Sequence, residues 1–254
     1  MEEAELKRLH VIGIGVGNPE YITVQAVKAL QETDVFFVID KGDDKSDLLN
    51  LRTEICARYA EPGKYRTVVI PDSPRESAPK YDQAVHEWHE KRASQWESCL
   101  ESELAEGQVG GFLVWGDPAF YDSTLRILDE VRARGKSEFE IAVFPGISAM
   151  QALAACHKIS LNRIGGSLLV TTGRRVEAGW PEGATDIVVM LDANCSFRRL
   201  NDGDISIFWG AYLGTDDELL ISGTITECGE LIEATRTRAR ARKGWVFDTY
   251  LLRR

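Results

Sequence analysis

Three short stretches of the chain combine residue types that hold small polar ligands: "GIGVGNPE" from Gly13, "WGDPAFYDS" from Trp115 and "FPGISAM" from Phe144. In each, glycine stands beside proline or a small polar residue at the mouth of a helical pattern. Glycine lets the backbone approach a ligand closely, and a helix N-terminus offers N–H groups with no partner inside the helix. Asp117 of the second stretch could cap the following helix or accept hydrogen bonds from ribose hydroxyls. Tyr121 and Asp122, just beyond it, could face a ligand or solvent. Asp40, which ends "FFVID", is a candidate site carboxylate, with a turn or helix cap as its alternative role. Arg174 and Arg175 in "TTGRR" could pair with ligand carboxylates or stand solvated at the surface.

The first stretch raises a question of nucleotide binding. A dinucleotide fingerprint G-x-G-x-x-G counted from Gly13 needs a third glycine where the chain has Asn18. The glycines fall instead at Gly13, Gly15 and Gly17, a period of two, so an extended chain would carry all three on one bare face. Pro19 suits the first turn of a helix, and Asn18 before it is pushed toward extended geometry and can cap. An NAD-binding turn is therefore the weaker reading.

The elements that must position these loops follow from hydrophobic periodicity. Short apolar runs "LHVIGIG", "DVFFVID", "YRTVVIP", "VGGFLVWGDP" and "FEIAVFPG" read as strands. Amphipathic stretches separate them, which predicts a mostly parallel sheet with helices on both faces. Right-handed crossovers place the loops after each strand on one edge of that sheet, where ligands of such folds bind. Beyond "HKISLNRIGG", the runs "GGSLLVTTGRR", "TDIVVMLD", "DISIFWGAYLG", "DELLISGTI" and "WVFDTYLLRR" read as five more strands with shorter helical pieces between them. The fold class is thus two α/β domains. An N-terminal domain spans residues 1–157, and a C-terminal domain with a mixed sheet spans 158–254.

Composition narrows the function classes. The chain has 254 residues, 44% hydrophobic and 28% charged, with a formal charge of −10, which argues against nucleic acid as the partner. Five widely spaced cysteines contain no C-x-x-C, so neither a disulfide framework nor a zinc site is indicated. No apolar run reaches the roughly 20 residues a membrane helix needs, and the charged N-terminus is unlike a signal peptide. The expectation is a soluble cytoplasmic protein that uses no metal and has no membrane partner.

The combination of "GIGVGNPEYIT", "WGDPAFYDS" and "VFPGISAMQA", in this order, resembles the tetrapyrrole (corrin and porphyrin) methylases, the class III S-adenosylmethionine-dependent methyltransferases. The resemblance covers nearly the whole chain. It implies a homodimer of two-domain subunits that bind S-adenosyl-L-methionine in a cleft between the domains, with an anionic precorrin as substrate. Carried over residue by residue, Pro19, Trp115, Gly116, Asp117 and Phe120 lie at the cofactor, as do Ser148 and Ala149 after "PGI". Met190 and the run Tyr212, Leu213 and Gly214 complete the pocket. Gly15, Tyr121, Arg174 and Arg175 are then candidates for the substrate side, the glycine strand forming part of the cleft floor. Within the family, "VWGDPAFYDSTLRIL" and "LLVTTGRR" point to members that methylate precorrin-5 at C-1 and release acetate. That release adds water to a carbonyl and calls for a general base, for which Asp40 is the candidate. Many relatives have Asp where this chain has Asn18, Gly where it has Trp115 and a hydroxyl residue where it has Ala149. Alternatives are another precorrin methylase or a non-catalytic α/β protein that binds a small molecule.

Other motifs read as structural. "HEWHE" puts His86 and His89 three apart, but it is not H-E-x-x-H. Tyr81, Val85, Trp88, Trp96 and Leu100 form a helical packing stripe that could include a dimer face. The basic residues of "RTRARARKG", from Arg236 to Lys243, are spread around a helix and read as a solvated face.

Overall fold

The computed structural model describes residues 6–40, 46–72, 81–136, 138–200 and 204–254, with side chains at all of these except 40, 46–50 and 81–87. The chain divides into two compact units, one of Met1–Gly15 with Pro19–Ile147 and the other of Val16–Asn18 with Ser148–Arg254.

The first unit alternates strand and helix as its apolar runs predict: β1 (Lys7–Gly13), α1 (Val24–Gln31), β2 (Val35–Asp40), α2 (Ser46–Tyr59), β3 (Arg66–Pro71), α3 (Tyr81–Glu103), β4 (Val109–Val114), α4 (Thr124–Arg134) and β5 (Phe139–Phe144). The five strands form a wholly parallel sheet in the order β3-β2-β4-β1-β5. All five C-terminal ends therefore share one edge. Period-two alternation gives the sheet two apolar faces. Leu9 and Val11 pack with Trp96 and Leu100 of α3 and with Ile127 and Leu128 of α4. Ile12 packs on the other face with Ala26 and Leu30 of α1 and Ile55 of α2. Trp96 stacks on Phe112 with ring centroids 4.5 Å apart, so Trp96 of the α3 stripe is core. The side chains of Tyr81, Val85 and His86 lie outside the described residues. His89 is buried, its Nδ1 3.8 Å from Glu130 Oε1.

The start of the first helix differs from the expectation. Pro19 opens only a 3-10 turn, Pro19–Tyr21, and α1 begins at Val24. Thr23 is its cap, because its hydroxyl accepts from Ala26 N at 3.1 Å. Asn18 N donates to Val16 O at 2.8 Å.

The second unit holds α5 (Ala149–His157), β6 (Leu168–Thr172), α6 (Gly173–Val176), β7 (Asp186–Met190), β8 (Ser206–Ala211), β9 (Leu219–Thr224), α7 (Ile225–Lys243) and β10 (Asp248–Arg253). Its sheet runs β6-β7-β10-β8-β9, parallel between β6 and β7 and antiparallel elsewhere, as the mixed sheet requires. Apart from Val16–Asn18, the unit begins at Ser148, whereas the sequence places the change after residue 157. The reason is α5, whose buried Leu153 and whose His157 belong to the second core. The His157 Nε2–H donates to Trp209 O at 3.0 Å.

Between β9 and β10 the sequence reading places a helix only at the basic run from Arg236, yet α7 is 19 residues long and starts at Ile225. A reciprocal cap starts it: Thr224 Oγ1 accepts from Glu227 N at 3.2 Å, and Glu227 Oε2 accepts from Thr224 N at 3.0 Å. Arg236 departs from the solvated reading. Its Nε donates to Asp248 Oδ2 at 3.0 Å and its Nη2 to Asp192 O at 2.9 Å, because the i, i+4 neighbour Ile232 turns that side of α7 into the core.

Candidate functional site

In the first unit the three expected loops meet at the C-terminal edge of the parallel sheet. β1, β4 and β5 are neighbours, with Gly13 beside Val114 and Ile12 beside Phe144. Just past the strands, Gly15 and Gly116 exchange two backbone hydrogen bonds, Gly116 N to Gly15 O at 2.8 Å and Gly15 N to Gly116 O at 3.2 Å. Gly146 completes the junction. A methyl group on Gly13 would stand 2.6 Å from Gly146 N and 2.9 Å from Gly116 O, and one on Gly146 would strike Gly116 O. One glycine from each loop is thus required by the other two.

Asp117 locks this junction. Its Oδ1 accepts from Ala119 N at 2.8 Å, and its Oδ2 accepts from Gly146 N at 2.9 Å. The carboxylate therefore holds the loop after β4 against the loop after β5. It does not cap α4, since that helix starts at Thr124 and takes Asp122 Oδ1 on its first amide at 2.7 Å. Thr23 Oγ1 donates to Pro145 O at 3.3 Å, which ties the segment after the glycines to the same place. Trp115 packs partly buried on the α1–α2 side of the sheet, Phe120 N donates to Asp117 O at 3.2 Å, and Tyr121 is exposed.

The period-two glycines do not share one bare face. The chain leaves the strand after Gly13, and Gly15 and Gly17 have φ of 75° and 71°. Left-handed backbone turns each glycine toward a different neighbour. The Gly15 Cα faces Tyr21, where an added carbon would lie 2.7 Å from Tyr21 Cβ. Gly17, in the second unit, presses its Cα on the Leu213 carbonyl.

In the second unit β7 and β8 both run antiparallel to the intervening β10, so their C-terminal ends share an edge. Met190 ends β7, and Tyr212, Leu213 and Gly214 follow β8. Tyr212 is buried, with its hydroxyl donating to Trp245 O at 2.6 Å and its N–H to Phe247 O at 3.0 Å. Gly214 N donates to Glu218 Oε2 at 2.8 Å, and the Cys156 thiol of α5 lies 3.2 Å from the same oxygen. Ser148 is the buried N-cap of α5, its N–H and hydroxyl both directed at Gln151 Oε1, and Ala149 is the first helical residue. Arg174 and Arg175 are exposed on α6, which follows β6 at that same edge.

Asp40 closes β2 in register with Pro71, and its side chain lies outside the described residues. Among the described residues no group of three His, Cys, Asp or Glu side chains could hold a metal ion.

Two features escaped the sequence reading. Asp192 is buried beside Gly173, with Ser196 N, Ser196 Oγ, Asn194 N and Tyr250 Oη donating to its carboxylate at 2.6 to 2.9 Å. The signal was "LDANCS", an aspartate followed by small polar residues after a strand. The second is backbone strain. Tyr121, Leu191 and Tyr212 hold φ near +50° to +55° without being glycine. All three sit in or beside the loops that the sequence marks for ligand binding, where such strain collects.

The family model of the tetrapyrrole (corrin/porphyrin) methylases matches residues 8–229. The chain is 47% identical over 256 residues to a precorrin-6A synthase [deacetylating] from Sinorhizobium sp, a match that covers 100% of this chain and 98% of that one. Its structure is similar to that of a cobalamin-synthesis-related protein, CobF, from Corynebacterium diphtheriae, with a TM-score of 0.86 and 35% identity over 98% of each chain. A uroporphyrin-III C-methyltransferase from Thermus thermophilus, solved with S-adenosyl homocysteine, shares the fold with a TM-score of 0.55 and 17% identity over 96% of each chain.

Proposed function

The chain belongs to the tetrapyrrole (corrin/porphyrin) methylase family, and from that premise we propose that it is an S-adenosylmethionine-dependent C-methyltransferase of cobalamin biosynthesis, converting precorrin-5 to precorrin-6A by methylation at C-1 with release of acetate. The observation that carries this reading is the end-to-end identity with a deacetylating precorrin-6A synthase, extending over both units rather than one shared domain.

The residues present suit the cofactor. The glycine junction brings backbone of three loops to one place with no side chain between them, and the strained Tyr121, Leu191 and Tyr212 mark the same loops and their counterparts in the second unit. When bound, S-adenosylmethionine supplies the methyl group as an electrophile at a sulfonium. Trp115, Gly116, Asp117, Phe120 and Pro19 in one unit, with Ser148, Ala149, Met190 and Tyr212 to Gly214 in the other, are the residues we assign to holding it. Asp117 acts by fixing the loop geometry through its two backbone acceptor bonds. Orientation and exclusion of water are the protein's main tasks in such a transfer. On the substrate side we assign Tyr121, Arg174 and Arg175, whose exposure leaves them open to an anionic macrocycle. Gly15 serves that side through its pairing with Gly116. For acetate release we assign the base to Asp40, at the C-terminal end of a strand on the loop-bearing edge. The resemblance also supports a homodimer working in the cytoplasm.

Incubation with precorrin-5 and isotopically labelled methyl donor tests the reading. One labelled methyl gained, the two-carbon acetyl lost and one acetate released per turnover are expected. A methylated product that keeps its acetyl group points to another methylase of the pathway. An unchanged macrocycle removes the catalytic reading.

A further inference from the structure

In the second unit a buried carboxylate locks a glycine across two loops, as Asp117 does in the first. β6 and β7 are parallel with Thr172 beside Met190, so α6 and the loop that begins at Leu191 leave the sheet side by side. α6 is four residues long, and its cap residue Thr172 makes no side-chain bond to it. A helix that short has no stability of its own, so its place is set by what it touches.

Asp192 makes the decisive contact. A methyl group on Gly173 would stand 2.4 Å from Asp192 Oδ1 and 2.5 Å from its Cγ, and Gly173 has no left-handed φ, so the carboxylate alone requires the glycine. The carboxylate cannot yield, because each of its oxygens has two donors. Oδ1 accepts from Asn194 N at 2.9 Å and Ser196 Oγ at 2.8 Å, and Oδ2 accepts from Ser196 N at 2.6 Å and Tyr250 Oη at 2.7 Å. Burial, and after it the Asp192 charge, push the Tyr250 pKa up, so the phenol keeps its proton and donates. The far end of α6 is tied to the same loop, where Asn194 Nδ2 donates to Glu177 Oε1 at 3.0 Å. Val176 packs in the core with Cys195 and Phe197. The inward side of α6 is thus held by residues 192–197, and its outward residues are Arg174 and Arg175.

We propose that Asp192 is a positioning residue for substrate binding: through Gly173 it fixes the direction in which α6 presents Arg174 and Arg175 to the acetate and propionate arms of an anionic tetrapyrrole. The identity of the macrocycle rests on the precorrin methylase reading. The coupling of Asp192 to the arginines rests on the Gly173 contact and the Glu177 tie. Guanidinium groups on long stems bind carboxylates best where the backbone beneath them is already fixed, since ordering it on binding costs affinity.

The test compares the full chain with Asp192→Asn, Gly173→Ala and Asn194→Ala. The readouts are KM and kcat for precorrin-5 and the dissociation constant of uroporphyrin III, an octacarboxylate macrocycle used as a probe that needs no turnover. Asp192→Asn and Gly173→Ala are each expected to raise KM and to weaken uroporphyrin by about tenfold, the size of one displaced charge-assisted contact. Hydrogen exchange should quicken at residues 174–177 and stay native in β10. Gly173→Ala and Asn194→Ala leave the Asp192 backbone bonds in place, so their kcat and S-adenosylhomocysteine affinity should be native. Asn194→Ala, at an exposed position, should raise KM severalfold and serves if the other two fail to fold. Added to a chain carrying both Arg174→Gln and Arg175→Gln, Asp192→Asn should raise KM no further, because its effect passes through those side chains. Native KM and uroporphyrin affinity in the variants that fold, or an undiminished effect of Asp192→Asn without the arginines, overturns the proposal and leaves Asp192 a purely structural role. S-adenosylhomocysteine calorimetry judges the methylase reading separately. A chain whose uroporphyrin binding depends on Asp192 but that binds no S-adenosylhomocysteine keeps the positioning role and loses the function.

Discussion

Asp117 Oδ2 accepts a hydrogen bond from Gly146 N at 2.9 Å, so one carboxylate links two loops that are 29 residues apart in sequence. Its other oxygen holds Ala119 N. The side chain is held by backbone before any ligand arrives, so removing it disturbs the geometry of both loops.

Asp117→Ala should therefore do two things at once. Loss of two charge-assisted acceptor bonds at a half-buried position is expected to lower stability by about 1–3 kcal/mol. Affinity for S-adenosylhomocysteine should fall with it. Asp117→Asn retains one acceptor oxygen and should give an intermediate result. Urea titration and calorimetry on the same samples check this, and a variant that binds less tightly with unchanged stability would return Asp117 to direct ligand contact.

The glycines separate steric need from backbone strain. Gly63 has φ of 81° with nothing within 4 Å of an added carbon, so Gly63→Ala should cost only the left-handed penalty of roughly 1–2 kcal/mol. Gly146 has ordinary φ but no room, because Gly116 O and the Gly13 backbone stand in the way. Gly146→Ala should cost more than Gly63→Ala and should abolish methyl transfer, whereas Gly63→Ala should leave it intact. Equal stability and activity in the two variants would remove the junction from the site.

Much of this arrangement was legible in the sequence. Short apolar runs marked the ten strands found among the described residues, most plainly β4 and β7, which are buried along nearly their whole length, and the three glycine loops were visible because few residues tolerate such close backbone approach. The partners were not legible. Nothing local in "GIGVG" says that Gly15 meets Tyr21 while Gly13 meets Gly146, since left-handed φ breaks the period-two rule that extended chain obeys. The length of α7 was hidden by a polar sequence with scattered Ile225, Cys228 and Ile232 as its buried contacts, although Thr224 and Glu227 carried the capping-box spacing. Arg236 looked like its solvated neighbours because its carboxylate, Asp248, is 12 positions away.

His10 gives a pH dependence of stability. It lies buried in β1, where burial holds its pKa below the ordinary 6.5, outweighing the pull of the Ala29 carbonyl and Glu32. A carbonyl can only accept, so the neutral ring donates from Nδ1 to Ala29 O at 3.3 Å. The unfolded chain takes up the proton more readily, so stability is full above the unfolded pKa and is lost as pH falls from there toward the folded value. Between pH 7.5 and 5.5, roughly one unit either side of the unfolded value, His10→Gln should lose less stability than the native chain. Parallel slopes in denaturant melts would show that His10 is hydrated.

Asp186 contributes to the acid sensitivity of the second unit. Burial alone would raise its pKa, but hydrogen bonds from Arg253, the Arg163 backbone and Thr185 bring it below the ordinary carboxylate value. Its contribution is present above the unfolded pKa of about 3.9 and disappears as pH falls through the folded value. Arg253 Nε donates to Asp186 Oδ1 at 2.6 Å, the shortest of these bonds. Arg253→Met leaves a buried carboxylate without its main partner and should cost about 3–5 kcal/mol at neutral pH. Part of that loss should be recovered on moderate acidification, as Asp186 protonates above its former range. A loss that stays constant with pH would show that Arg253 acts by packing on Phe208 alone.

The last prediction concerns the order of the two chemical events. If methylation at C-1 makes the acetyl-bearing carbon the better leaving centre, acetate never precedes methyl transfer, and the protein need only add a base and water. Asp40 ends β2 in register with Pro71 of β3, on the sheet edge that carries the glycine loops. Asp40→Asn preserves size and hydrogen-bonding capacity but removes basicity. It should leave S-adenosylhomocysteine affinity intact and slow acetate release by roughly 10²- to 10⁴-fold, the usual loss of a general base. Rapid-quench mass measurement should then trap a methylated macrocycle that retains its acetyl group. Native release rates in the variant would pass the role to another group on the same edge, and acetate appearing ahead of methylation in the native enzyme would reverse the sequence of steps.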